Sequence, residues 1–192
     1  GSDIVFLGAM VKYILDNDLW NEDYVKTFTN ASYLVNPDFA FNDGEFTGLD
    51  EAGRKYDTAS WSYQVEETTE WDTAGAYSWA VGDNVPKFTT PKVPVIKKDP
   101  TLQDPNCVFQ LMKKQYTRYT PEMVEAVCGM PRAKFEEIAE MWGATGVNDK
   151  AAVFMYAMGL AQHSKGAQNI RAISLVQTLL GNIGRAGGGI NA

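Results

Sequence analysis

The residues best placed to do chemistry lie near the end of the chain. They run from Tyr156 through Met158, Gly159, Gln162, His163 and Gly166 to Arg171, followed by Leu179-Leu-Gly-Asn-Ile-Gly184 and the run Gly187-Gly-Gly-Ile-Asn-Ala192. A loop that leaves a parallel strand and enters a helix turns backbone N–H groups and the positive helix end toward a pyrophosphate or ribose. Gly159 and Gly166 would let backbone approach such a ligand, and the Gln162 amide can both donate and accept toward a purine or pterin edge. The same pattern also fits an ordinary strand-to-helix turn. His163 is the sole histidine. A lone loop histidine is more often a hydrogen-bonding residue than a proton shuttle, so no catalytic residue is assigned. Cys107 and Cys128 sit among apolar helical residues without Cys-x-x-Cys spacing. That argues for structural thiols and against an iron–sulfur or zinc site made by this chain alone. No metal-ligating residue is assigned. The glycine tail reads either as a ligand wrap with unusual backbone angles or as a loose chain end.

These residues need elements to hold them. Ala151–Ala157 is a short run of large apolar residues, which predicts a fully buried strand of a parallel sheet. A helix is expected from about Gly166 to Leu180, with Ile170, Ile173, Val176 and Leu180 on its core side. At the other end, residues 3–15 are apolar nearly all round, which predicts a buried helix capped by Ser2 or Asp3. Asn21 should cap a second short helix, giving a helical start over 1–29. Residues 30–103 lose apolar periodicity and gain Asn, Asp, Gly, Thr, Trp and Tyr. They read as an irregular insertion with at most one short edge strand near Lys92–Lys98, pinned to a surface by Phe39, Phe41, Phe46, Tyr56, Trp61, Tyr63, Trp71, Tyr77 and Trp79. Asp104-Pro105, Thr120-Pro121 and Pro131 each signal a helix start, giving a helical cluster over 104–143. The stretch 151–192 is then strand, loop, helix and glycine-rich tail. With a single confident core strand, the 192 residues read as one partial domain of a larger α/β protein.

Seventeen basic against 24 acidic residues give a net charge of −7, and no basic run accompanies the aromatics. Nucleic acid is therefore a poor partner. No apolar run approaches the ~20 residues of a bilayer span, so no direct membrane span is expected.

Several motifs together resemble the molybdopterin oxidoreductases, and within them the large subunit of respiratory and periplasmic formate dehydrogenases. They include Met158-Gly-Leu-Ala-Gln-His163, Leu179-Leu-Gly-Asn-Ile-Gly184, the Gly187–Ala192 tail, the Gly1-Ser-Asp-Ile4 start and Tyr24–Val35. Phe41–Gly48, Arg54–Asp57 and Thr101–Phe109 are similar to an insertion peculiar to these formate dehydrogenases, which sets them apart from the nitrate reductase branch. The resemblance implies an α/β fold, part of a Rossmann-like parallel-sheet molybdopterin-binding domain, mostly helical with few strands and a long irregular insertion. It implies contacts from Asp3, Met158, Gly159 and Gln162 to one of two molybdopterin guanine dinucleotides that hold molybdenum or tungsten in the full-length subunit. A 4Fe-4S cluster is implied there too, ligated outside this chain, as are the metal ligand and the substrate-facing arginine. The implied reaction is formate oxidation to carbon dioxide. The implied partners are the rest of the large subunit and an iron–sulfur electron-transfer subunit, with or without a cytochrome subunit, in the periplasm. Two alternatives stay open. One is a free-standing, non-catalytic binding or assembly module; the other is a different molybdopterin oxidoreductase, such as a nitrate reductase.

Overall fold

A computed structural model describes residues 2–42, 45–66 and 95–192. The chain begins with helices α1 (Asp3–Asp16) and α2 (Glu22–Phe28). Four two-residue strands follow: β1 (Phe41–Asn42), β2 (Glu45–Phe46), β3 (Leu49–Asp50) and β4 (Lys55–Tyr56). Helices α3 (Val108–Tyr116), α4 (Pro121–Cys128) and α5 (Arg132–Gly143) lead to β5 (Val153–Met155), the single turn α6 (Met158–Ala161), α7 (Gly166–Leu179) and β6 (Gly189–Asn191). Mixed helices and few strands make this an α/β chain. It divides into two compact units, one built from Gly1–Ser32 with Val108–Ala192, the other from Tyr33–Cys107.

In the first unit α1 is the central element. Leu7, Met10, Val11, Ile14 and Leu15 are all buried, and α7, α4, α3 and α5 pack around the helix. Its all-round apolar sequence is thus matched by neighbours on several sides. Gly8 permits one of these approaches, since a Cβ there would meet the Tyr119 ring at 2.6 Å. The expected side-chain cap at Ser2 is absent; its carbonyl instead accepts from Val5 N at 3.0 Å. Asn21 does cap α2, its Oδ1 accepting from Tyr24 N at 3.0 Å. Thr120 caps α4 at 3.2 Å with Pro121 in the first turn, and Gly129 closes that helix at φ 70°. Phe135 of α5 is fully buried and meets Phe6 and Tyr13 edge-on, at 5.7 and 6.3 Å between ring centroids.

One helix start differs from expectation. The Asp104-Pro105 signal opens a turn, not a helix: Asp104 Oδ1 accepts from Asn106 N at 2.8 Å, its carbonyl accepts from Cys107 N at 2.9 Å, and α3 begins only at Val108. The carboxylate that would have capped a helix closes an Asx turn instead. Both cysteines are thiols.

Short antiparallel pairings organise the described residues of the second unit. β1 pairs antiparallel with β2 (Phe41 opposite Phe46) and β3 with β4 (Leu49 opposite Tyr56). Isolated bridges join Val35 to Tyr63, Leu34 to Cys107, Tyr33 to Lys98 and Val65 to Ile96. Phe39, Phe41, Phe46, Tyr56 and Trp61 pack on one another, with centroid separations of 5.2 to 6.5 Å. They form their own cluster; Trp71, Tyr77 and Trp79 lie outside the described residues. A tight loop at 99–104 hangs on one carboxylate. Asp99 accepts from Thr101 Oγ1 at 2.6 Å, Thr101 N at 2.9 Å, and Gln103 N and Asp104 N at 2.7 Å each. This arrangement holds Leu102 buried at φ 58°. The Thr101 hydroxyl and the backbone N–H groups favour the ionised form and lower the Asp99 pKa to about 2.

Two outcomes are expected. Truncating Phe135 to Ala should cost about 3–5 kcal/mol, read from urea unfolding. Because the Asp99 pKa is lower folded than unfolded, its contribution is complete above about pH 4 and lost as pH falls toward 2. Amide exchange at Thr101 and Gln103 should accelerate in that window, and Asp99→Asn should abolish the pH dependence.

Candidate cofactor-binding site

β5 and β6 run parallel, pairing Val153 with Gly189, Phe154 with Ile190 and Met155 with Asn191, and Tyr156 N continues the ladder by donating to Asn191 O at 2.9 Å. In parallel sheets ligands bind outside the carboxyl ends of the strands, and here that end meets α6. The glycine tail is therefore part of the sheet rather than a loose chain end. The strand expected to be fully buried is not: Val153 is 42% and Met155 75% exposed. Its apolar run finds one covered face, where Phe154 stacks on Trp142 at 5.4 Å and packs with Ile190 and Leu160 against Leu7, Ala172 and Ile173.

The loop is compact. Gln162 N donates to Met158 O at 2.8 Å, closing one helical turn, and Gly166 N donates to His163 O at 3.0 Å. A Cβ at Gly166 would drive into the Ala161 carbonyl, whereas one at Gly159 would meet nothing within 4 Å. Gly166 is thus fixed by packing, and Gly159 faces open space. His163 Nε2 lies 2.7 Å from the Gly159 carbonyl, a contact that needs the hydrogen on Nε2. The same nitrogen is 3.9 Å from Asp3 Oδ2. Through His163 the start of α1 and the α6 turn are brought together, so Asp3, Met158, Gly159 and Gln162 share one region. Met158 is 69% exposed, and the exposed Gln162 amide makes a weak 3.6 Å contact to Met158 Sδ. Arg185 is tied to the Val147 and Asn148 carbonyls and is a structural brace.

Two buried residues behind the site escape sequence reasoning. Gln177 and Asn182 are fully buried and bond to each other, Nδ2 of Asn182 donating to Gln177 Oε1 at 3.0 Å. Asn182 Oδ1 accepts from Ala152 N at 3.1 Å. The available signal was a glutamine one turn beyond Ile173, on the face of α7 assigned to the core.

No protein-family model matches the chain. It is 44% identical to the formate dehydrogenase subunit alpha of Megalodesulfovibrio gigas and 43% identical to the nitrate-inducible formate dehydrogenase major subunit of Escherichia coli K12. It is also 43% identical to the formate dehydrogenase 2 subunit alpha (cytochrome c-553) of Nitratidesulfovibrio vulgaris. All of this chain is matched in each. Over its whole length the chain matches the large subunits of formate dehydrogenases. It spans about 16% of the length of these relatives, so it corresponds to one segment of an oxidoreductase subunit. Among the described residues, no helix is long and apolar enough to cross a membrane. No group of His, Cys, Asp and Glu there could hold a metal ion.

The two loop glycines should respond oppositely. Gly166→Ala is expected to cost about 1–3 kcal/mol by overpacking, and Gly159→Ala to stay within about 0.5 kcal/mol of the parent, both read from urea unfolding.

Proposed function

We propose that this chain forms part of the pterin-cofactor site of a formate-oxidising enzyme, whose large subunit converts formate to carbon dioxide. The observation that carries this reading is the convergence of Asp3 with the Met158–His163 turn at the carboxyl end of the β5–β6 pair. The donor set suits a molybdopterin guanine dinucleotide. An Asp3 carboxylate can accept from the N1–H and exocyclic amine of guanine, and the Gln162 amide can both donate and accept along a ring edge. Gly159 leaves room for close approach, and the exposed Met158 thioether can lie against a flat heteroaromatic face. In a Rossmann-like parallel sheet, ligands are met at this same place.

When bound, the cofactor's molybdenum or tungsten centre supplies the two-electron chemistry. This chain's residues bind and orient one nucleotide arm; none of them is assigned a catalytic step. The proposal extends to two such dinucleotides per subunit and a 4Fe-4S cluster ligated elsewhere. Electrons would leave through an iron–sulfur subunit, with or without a cytochrome subunit, in the periplasm.

In the whole enzyme, Asp3→Ala and Gln162→Ala should each lower pterin and metal content per subunit severalfold while the unfolding midpoint stays near the parent's. The parent should reduce an artificial dye with formate. Turnover of nitrate or a sulfur oxide in place of formate would sink the substrate assignment. Cofactor content unchanged in both variants would remove these residues from the site.

A further inference from the structure

The glycine tail poses a problem of register. Strand pairing is normally specified by side chains facing a core, and a glycine-rich strand has few of them. Gly187, Gly188 and Gly189 are consecutive, so among the residues entering the strand no side chain marks one register over the next, and Ile190 alone brings an apolar side chain to the core. Sliding by one residue would move everything after them by about 3.3 Å and turn each side chain to the opposite face. The structure nevertheless selects one pairing, Val153 with Gly189.

We propose that Gln177 is the register pin of this strand, and thereby a positioning residue for the site at its carboxyl end. Its Nε2 donates to Ala152 O at 2.8 Å and to Gly189 O at 2.7 Å, one carbonyl at the entry of each paired strand. Its Oε1 is held from the other side by Trp142 Nε1 at 3.1 Å and Asn182 Nδ2 at 3.0 Å. These two donors leave the amide nitrogen facing the strands, so the side chain cannot flip without losing all four bonds. With Ala152 O fixed by β5, the second donation selects which carbonyl of the tail stands beside it. A Cβ at Gly188 would strike the Asn182 carbonyl, so the tail passes that point only as glycine, a condition that a one-residue slip in either direction still meets and that therefore leaves the choice of register to Gln177 and Ile190. The pin sets which peptide accepts from Tyr156 N, and hence where Asn191 stands against the turn that follows. The consequence for the cofactor rests on the site proposed above; the pinning of the strand does not.

The test uses the cofactor-loaded enzyme with two substitutions, read by amide exchange and by pterin content. Gln177→Met keeps length and apolarity and removes the donors. Gln177→Glu keeps the acceptor for Trp142 and Asn182 but presents a carboxylate to two carbonyls. In both, exchange at Ile190, Asn191 and Tyr156 should rise about tenfold or more while α1 stays protected. In Gln177→Glu, acidification should partly restore protection, because a protonated carboxyl regains one donation. Tail exchange unchanged in both variants, or exchange raised equally in α1 and insensitive to pH, overturns the pin. Looser tail exchange with full pterin content overturns the positioning role while leaving the register role standing. Pterin lost in the Asp3 and Gln162 variants but retained in both Gln177 variants likewise removes the positioning role, without touching the cofactor reading.

Discussion

A helix that is apolar on nearly every side has to be surrounded, and α1 meets that demand by drawing α7, α4, α3 and α5 around it. The rest of the first unit follows from this constraint. Because α7 packs along α1, the loop that enters α7 arrives beside the first residue of α1, and Asp3 comes within reach of His163. The candidate site is in this sense a by-product of core formation. Hydrophobic burial, at roughly 25 cal/mol per Å² of apolar surface, positions polar groups that supply little stability themselves, since the Asp3–His163 separation of 3.9 Å between partly exposed groups is weak.

The polar hub behind the sheet obeys a different rule. A buried amide left without partners costs about 1–3 kcal/mol, so Gln177 and Asn182 are tolerable only because every polar atom of each is engaged or nearly so. Gln177 reaches Ala152, Gly189, Trp142 and Asn182; Asn182 reaches Ala152, Thr145 and Gln177. An apolar residue at 177 would pack as densely but could not choose among three successive glycine carbonyls. Directionality, which the hydrophobic effect lacks, is what a glycine strand needs from its neighbour.

Much of this was legible in the sequence where local physics decides the outcome. The all-round apolar pattern of residues 3–15, the Asn21 and Thr120 caps and the Ile173–Val176–Leu180 face all describe interactions within one helix or between it and any core. The misses are of another kind. Asp104-Pro105 offers a helix cap and an Asx turn equally, and the pairing of Leu34 with Cys107 accompanies the turn. The pairing of β1 with β2 was not anticipated, because an aromatic-rich composition points as readily to surface contacts as to short strands. Strand β6 was invisible because glycine has low strand preference; its pairing depends on partners far away in sequence. Asp3, Met158, Gly159 and Gln162, the residues of the proposed site, could be grouped in the sequence only through resemblance, because nothing local to Asp3 foretells its meeting with His163.

Gln162 and Gln177 show how the same side chain is assigned opposite work. Gln177, within α7, has its amide saturated by four protein partners and is closed to any ligand. Gln162, at the end of the α6 turn, is exposed and makes one weak contact to a sulfur. Since a primary amide has two donors and an acceptor with two lone pairs, nearly all of the hydrogen-bonding capacity of Gln162 remains available to whatever approaches the carboxyl end of β5. Gly159 beside it is open, while Gly166, a few residues on, is locked against Ala161. Residues with filled contacts and residues open to solvent thus lie close together along one loop. Those whose bonds are filled hold the backbone still, and rigidity at those points lets the unfilled ones present a fixed pattern of donors and acceptors.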